Sequence, residues 1–147
     1  MRGRGGPHPH GPHGRRGRGR GSRTRWCDAA GIWHVDARVE RFGEPVLLML
    51  LAERERHGYE LLELLPEWVG ERRVDLGNLY RLLRGLEEEG LVGSRWDEGQ
   101  PGPAKRVYWL TDDGRAVLGR WGEGLRDLRG RIDRFLDVYE RGEGVSE

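Results

Sequence analysis

Asn78, Arg81 and Arg84, with Tyr80 flanking them, fall within one short stretch of this 147-residue chain. A side-chain amide can meet an adenine edge with two hydrogen bonds, and a guanidinium can do the same for guanine. Arg72 and Arg73 lie just upstream, and Tyr59 stands at the head of the preceding predicted helix. All three suit contacts to phosphate. Arg95, Lys105 and Arg106 gather about a later loop. The set reads as chemistry for gripping nucleic acid, and the competing reading is a solvated charged face. No catalytic set stands beside it. Serine occurs only at 22, 94 and 146, and there is no nucleophile elbow, phosphate loop or His-Glu-x-x-His motif. Asp112 and Asp113 are explained as acids at a helix start. Neither enzyme activity nor a cofactor is expected.

The elements that must position these groups follow from hydrophobic spacing. Pro45 to Ala52 is an almost continuous apolar run and predicts a buried first helix with proline near its start. Glu53 to His57 reads as a polar turn. Tyr59 to Trp68 repeats apolar residues at helical spacing. A third helix is expected from an Asp75 cap to about Glu89, where Gly90 stops it, with Leu79, Leu82, Leu83 and Leu86 as its buried stripe. Leu91 to Trp96 and Arg106 to Leu110 predict two strands around a Gly/Pro-rich tip. Thr111 then caps a last helix. Its residues Leu118, Trp121, Leu125, Leu128, Ile132, Phe135 and Tyr139 alternate steps of three and four. That heptad seam is expected to pair with a second copy, because Gly119, Gly122, Gly124 and Gly130 each weaken an isolated helix by roughly 1 kcal/mol.

The fold class is therefore mainly α with a small β-hairpin (α+β): a winged helix-turn-helix with a C-terminal dimerisation helix. The expected organisation is a disordered arm over 1–25, a connecting segment over 26–44 with room for a short helix near 36–43, a DNA-binding domain over 45–110, the dimerisation helix over 111–141 and a disordered tail over 142–147. The formal net charge of +1 conceals an asymmetry. Eight arginines and no acid fall in the first 25 residues, leaving 18 basic against 25 acidic residues in the rest. A basic arm on an acidic body is suited to an anionic partner. Adding nonspecific affinity for nucleic acid and merely keeping the chain soluble are its two readings. No apolar run approaches the ~20 residues of a membrane span, so a cytoplasmic location without membrane contact is expected. The single cysteine, Cys27, excludes an internal disulfide. His8, His10 and His13 offer loose metal contacts, and Cys27 with His34 a redox or metal pair, but neither has the donor set of a built site.

Four motifs then match one family in order and spacing. They are His-Gly-Tyr-Glu at 57–60, Gly-x-Leu-Tyr at 77–80, Leu-Glu-x-x-Gly-Leu at 86–91 and Tyr-x-Leu-Thr-x-x-Gly at 108–114. From roughly 44 to 141 the chain resembles the PadR family of winged-helix transcriptional regulators. The resemblance implies a homodimer, double-stranded DNA with a palindromic operator as partner, and usually repression lifted by a small ligand or other cue. It places DNA contacts at Tyr59, Gly77, Asn78, Tyr80 and the basic residues of the wing. Asn78 and Arg81 stand where the family more often has threonine and proline, which implies an altered operator. Trp121 is read either as seam packing or as a plate for a small aromatic effector. The reading from a different class is an RNA-binding or protein-interaction adaptor that uses the Arg-Gly arm.

Overall fold

The computed structural model describes residues 25–70, 74–99 and 101–143, in two units that divide between Val39 and Glu40. The arm before Arg25, the tail after Glu143, and the histidines at 8, 10 and 13 lie outside the described residues.

The first unit corrects the expectation of a plain connector. Strands β1 (Arg25–Cys27) and β2 (Trp33–Val35) pair antiparallel, and no helix forms over 36–42. The turn is organised by one carboxylate. Asp28 Oδ1 accepts from the backbone N–H of Ala30 and Ile32 at 2.9 and 3.0 Å, and Oδ2 lies 2.8 Å from His34 Nε2. Gly31, at φ +81°, makes the left-handed step that other residues resist. The ring of Trp26 stacks on His34. Cys27 pairs with Trp33 across the strands while His34 pairs with Trp26, so Cys27 and His34 take opposite faces and do not form a joint site.

The His34 hydrogen bond, followed by the backbone N–H groups, holds the Asp28 carboxyl below its ordinary value. A lowered carboxyl stabilises the fold above its unfolded pKa, near 3.8, and loses that contribution as pH falls through the lower folded value. The Trp26 indole NMR signal is therefore expected to keep its stacked shift at pH 5 and move to a random-coil shift only well below pH 4. Asp28→Ala should show the random-coil shift already at pH 7. A stacked shift in that variant would refute the role given to Asp28.

In the second unit, α1 (Gly43–Glu53) buries Pro45, Val46, Leu47, Leu48, Leu50 and Leu51. A helix apolar on nearly every side has to be the centre of its domain, and the other elements surround it. The expected polar turn after it contains a third strand, β3 (Arg56–His57), in which Arg56 pairs with Tyr108 and His57 with Val107. Two residues are too few for an alternation signal. Arg56 is buried, a costly place for a charge, and its guanidinium is satisfied by the Leu50 carbonyl at 3.0 Å and Glu53 at 2.7 Å.

α2 (Gly58–Val69) begins where the His57 N–H donates to Glu60 and ends at Gly70 in the left-handed conformation, φ +71°. α3 (Leu76–Glu88) starts from Asp75, whose carboxylate accepts from Gly77 N at 2.7 Å, and buries Leu79, Leu83 and Leu86. Gly90, φ +76°, turns the chain out of α3, and Leu91 N–H returns to the Leu86 carbonyl.

β4 (Val92–Asp97) and β5 (Lys105–Leu110) form the long hairpin, in a sheet ordered β3-β5-β4. Gly93 faces Trp109 so closely that a Cβ there would fall 2.3 Å from the indole. Thr111 Oγ1 donates to the Gly90 carbonyl and accepts from Gly114 N, which launches α4 (Asp112–Glu143). The early seam residues of α4, Leu118 and Trp121, pack on the protomer's own core, with Trp121 Nε1 donating to Glu44 of α1 at 2.6 Å. From Arg129 to Gly142 every residue of α4 is exposed. No helix among the described residues is long and apolar enough to cross a membrane.

Candidate nucleic-acid interface

Burying Leu79, Leu83 and Leu86 forces the other side of α3 outward. Gly77, Asn78, Tyr80, Arg81 and Arg84 are all exposed there. Asn78, Arg81 and Arg84 are spaced by three, so they lie along one side of the helix. Among the described residues neither Arg81 nor Arg84 has an ion pair. Tyr80 lies against the start of α2, where a Cβ on Gly58 would come 3.3 Å from its hydroxyl oxygen. Glycine at 58 thus lets Tyr80 of α3 and the N-terminus of α2 close together, with Tyr59 exposed beside them. Arg72 and Arg73 fall outside the described residues.

The wing divides its cations into two kinds. Arg95 reaches Glu55 at 2.6 Å and lies over the Trp109 ring. That hydrogen bond raises the Arg95 pKa and lowers that of Glu55. Arg106 donates to Ser94 Oγ at 2.9 Å, approaches Glu87 at 3.5 Å and lies over the Trp96 ring. Both guanidiniums are engaged by partners within the protomer. Lys105, at the base of the loop, is exposed and has no ion pair among the described residues. The structure therefore brings Lys105 to the surface as an exposed charge, and holds Arg95 and Arg106 as braces of the hairpin.

Between wing and helices is a cleft of about 430 Å³, lined by His57, Tyr59, Tyr80, Trp96, Lys105 and Arg106. Spacing alone missed His57 and Trp96. His57 Nε2 sits 3.8 Å from Asp97, and its Nδ1 is buried without a partner among the described residues. The His-Gly-Tyr-Glu motif held the signal for His57, and Trp96 had none beyond its place at a strand end. Hydrogen-bond donors, fixed aromatic rings and free cations on one face suit base edges and phosphates. Among the described residues no cluster of three or more His, Cys, Asp or Glu is placed to hold a metal ion.

The comparisons with known proteins agree with this architecture. The family described as transcriptional regulator PadR-like matches residues 47–120, from α1 into the first turns of α4. A solved protein of unknown function, described as a potential transcriptional factor, is 31% identical with a TM-score of 0.64, over 74% of this chain and 98% of its own. A putative transcriptional regulator from Thermoplasma acidophilum is 32% identical with a TM-score of 0.57, over 65% and 90%. A PadR family regulator from Eggerthella lenta is 28% identical with a TM-score of 0.52, over 62% and 80%. An uncharacterised protein from Lysinibacillus sphaericus is 21% identical over 98 residues, 66% of this chain and 90% of its own. With the family matched across half its length and the winged-helix elements in place, the chain belongs to the PadR-like family, whose members regulate transcription rather than catalyse a reaction.

Proposed function

We propose that the protein is a homodimeric repressor that reads a palindromic operator with α3 and is released by a small aromatic effector. The observation that carries the reading is the outward row of Asn78, Arg81 and Arg84, in which both arginines lack an ion pair among the described residues while Arg95 and Arg106 have one. Evenly spaced free donors on an exposed helix face are suited to base edges in a major groove. Tyr59, Tyr80, the open backbone at Gly77 and Lys105 complete the contact face through phosphates. Arg95 and Arg106 serve it by fixing the hairpin that carries the wing.

The effector reading is supported by a cavity of about 590 Å³ between α1, α2 and α4. Phe42, Met49, Trp68, Leu118 and Trp121 give it apolar walls, and Arg126 stands among its lining residues. Its size falls in the usual range for a small organic ligand. Trp121 both packs on the core and forms part of this wall, so a ligand here would act on the joint between α4 and the DNA-binding elements.

The operator is first selected from random duplex DNA. Arg84→Ala should then weaken operator binding by about 30- to 10⁴-fold, the loss of one good base contact in each half-site. Asn78→Ala should relax the sequence preference at one position of each half-site. Both variants should sediment like the parent. Gel-shift titration decides the matter, and an Arg84→Ala affinity within twofold of the parent would remove α3 from the interface.

A further inference from the structure

The cleft between wing and helices has properties that contacts to a duplex leave unused. Its volume of about 430 Å³ falls in the usual range for a small organic ligand. α2 and α3 contribute Tyr59 and Tyr80 to its lining, and the wing contributes Trp96, Lys105 and Arg106. Tyr80 is set against the start of α2, where only glycine at 58 leaves room for its hydroxyl end. Trp96 and Arg106 stand directly opposite each other on β4 and β5, so both side chains lie on one face of the hairpin. The Arg106 guanidinium lies 5.3 Å from the Trp96 ring centroid, and Trp96 is still 58% exposed. The indole is thus steadied by the cation and open to a ligand.

Charge in the cleft is one-sided. Among the described residues no carboxylate lines it. The acids next to Tyr59 and Trp96 in the chain have other partners. Glu60 meets Arg54 at 2.6 Å, and Asp97 accepts from Gly99 N at 3.2 Å. Lys105 has no ion pair among the described residues, and Glu87 approaches Arg106 only at 3.5 Å. The cleft is therefore aromatic and positive at once, which selects a flat ring that carries an anion.

We propose that this cleft binds a free nucleoside monophosphate, with the base stacked on Trp96 and the phosphate held by Lys105 and Arg106, and that the bound nucleotide keeps operator DNA off the same face. In a duplex the faces of the bases are covered by their neighbours, and only edges and backbone are offered, so stacking on the indole requires a base that is free. A phosphate monoester brings close to two negative charges near neutral pH, which matches the two cations, where a carboxylate brings one. A one-ring acid would also leave much of the cleft to water, whereas base, sugar and phosphate together occupy it. Tyr59, Tyr80 and Lys105 are also proposed operator contacts, so the two ligands exclude each other. This exclusion rests on the α3 operator reading, while the nucleotide site does not.

The test is equilibrium dialysis of the full chain, without DNA, against AMP, adenosine, glycerol phosphate and benzoate at one ionic strength. AMP is expected to bind about tenfold more tightly than any of the others, since it alone brings both base and phosphate. Trp96→Leu should weaken AMP binding by about tenfold, and Trp96→Tyr should restore most of the loss. Lys105→Ala should weaken AMP and leave adenosine unchanged. Arg84→Ala should leave AMP binding unchanged, and because the dialysis contains no DNA, a failure of the operator reading leaves its result standing. In gel shifts with the selected operator, AMP should displace the DNA and glycerol phosphate at the same concentration should not. Glycerol phosphate or benzoate binding as tightly as AMP would overturn the nucleotide assignment. Unchanged AMP binding in both Trp96→Leu and Lys105→Ala would remove the nucleotide from this cleft. AMP bound with undiminished operator affinity would overturn the exclusion.

Discussion

Leu128→Asp combined with Ile132→Asp is expected to turn a dimer into a folded monomer and to lower operator affinity by about 10²- to 10⁴-fold, the loss of bivalent binding. The expectation begins with the second half of α4. Ile132, Phe135, Leu136, Val138 and Tyr139 are exposed in the protomer, and the rings of Phe135 and Tyr139 lie parallel. Large apolar residues clustered along the eight residues from Ile132 to Tyr139 mark a surface awaiting a partner. The glycines at 119, 122, 124 and 130 sharpen the point. A Cβ at any of them would meet nothing within 4 Å, so no contact inside the protomer requires glycine there. A long helix carrying so many is weak by itself and is stabilised best by packing along its length.

In a two-fold interface each substitution acts twice. Four carboxylates would then be placed in an apolar seam, at several kcal/mol each unless they protonate or stay wet. The protomer should survive, since Ile132 is exposed and Leu128 lies outside the core cluster. A halved sedimenting mass is the expected result, with far-UV circular dichroism losing only the helical signal of the unpaired end of α4. A variant that still sediments as a dimer would show that the partner surface lies elsewhere on the chain.

The seam illustrates what sequence spacing could and could not show. Steps of three and four identified α4 as a long helix with one apolar face, and the helix runs over Asp112–Glu143. Spacing did not show that this face changes neighbours along its length. Leu118 and Trp121 meet the protomer's own core, and that depends on Glu44, which is 77 residues away in sequence. The same limit separates the cations of the wing. Arg95 and Arg106 look like Lys105 in a string of letters, until Glu55 and Glu87 are folded against them from 40 and 19 residues away. Within the domain, α1, α2, α3 and the long hairpin were legible because each carries a full period of buried residues. The N-terminal hairpin was not, because hydrogen bonds to Asp28 and one aromatic stack hold it instead of an apolar stripe. Strand β3 was hidden by its length and by a buried arginine.

Gly114→Ala is expected to cost the fold about 2–4 kcal/mol, although helix propensity alone favours alanine by up to about 1 kcal/mol. Gly114 sits in the first turn of α4, and its N–H donates to the Thr111 hydroxyl. A Cβ there would come 2.0 Å from the Leu91 carbonyl oxygen and 2.6 Å from the Leu110 side chain. The obstacle includes backbone, which cannot swing aside as a flexible side chain can. That carbonyl also accepts the Thr111 N–H at 3.1 Å, so moving it strains the junction that launches α4. Relief requires α4 to shift away from the sheet, weakening the Thr111 cap and the packing of Leu118 and Trp121 on the core together. Gly130→Ala is the control, because its Cβ would meet nothing within 4 Å and it lies off the seam. That variant should be neutral or up to about 1 kcal/mol more stable. Chemical denaturation should therefore move the two midpoints in opposite directions, or leave Gly130→Ala in place while Gly114→Ala falls. Equal midpoints would mean that α4 does not approach the Leu91 backbone as closely as its glycine permits. Because the same junction joins α3 and the hairpin to α4, Gly114→Ala should, in the proposed dimer, also weaken operator binding while leaving α3 chemically intact. That loss should exceed what the unfolded fraction alone explains, since the two recognition helices would no longer be held at one fixed spacing.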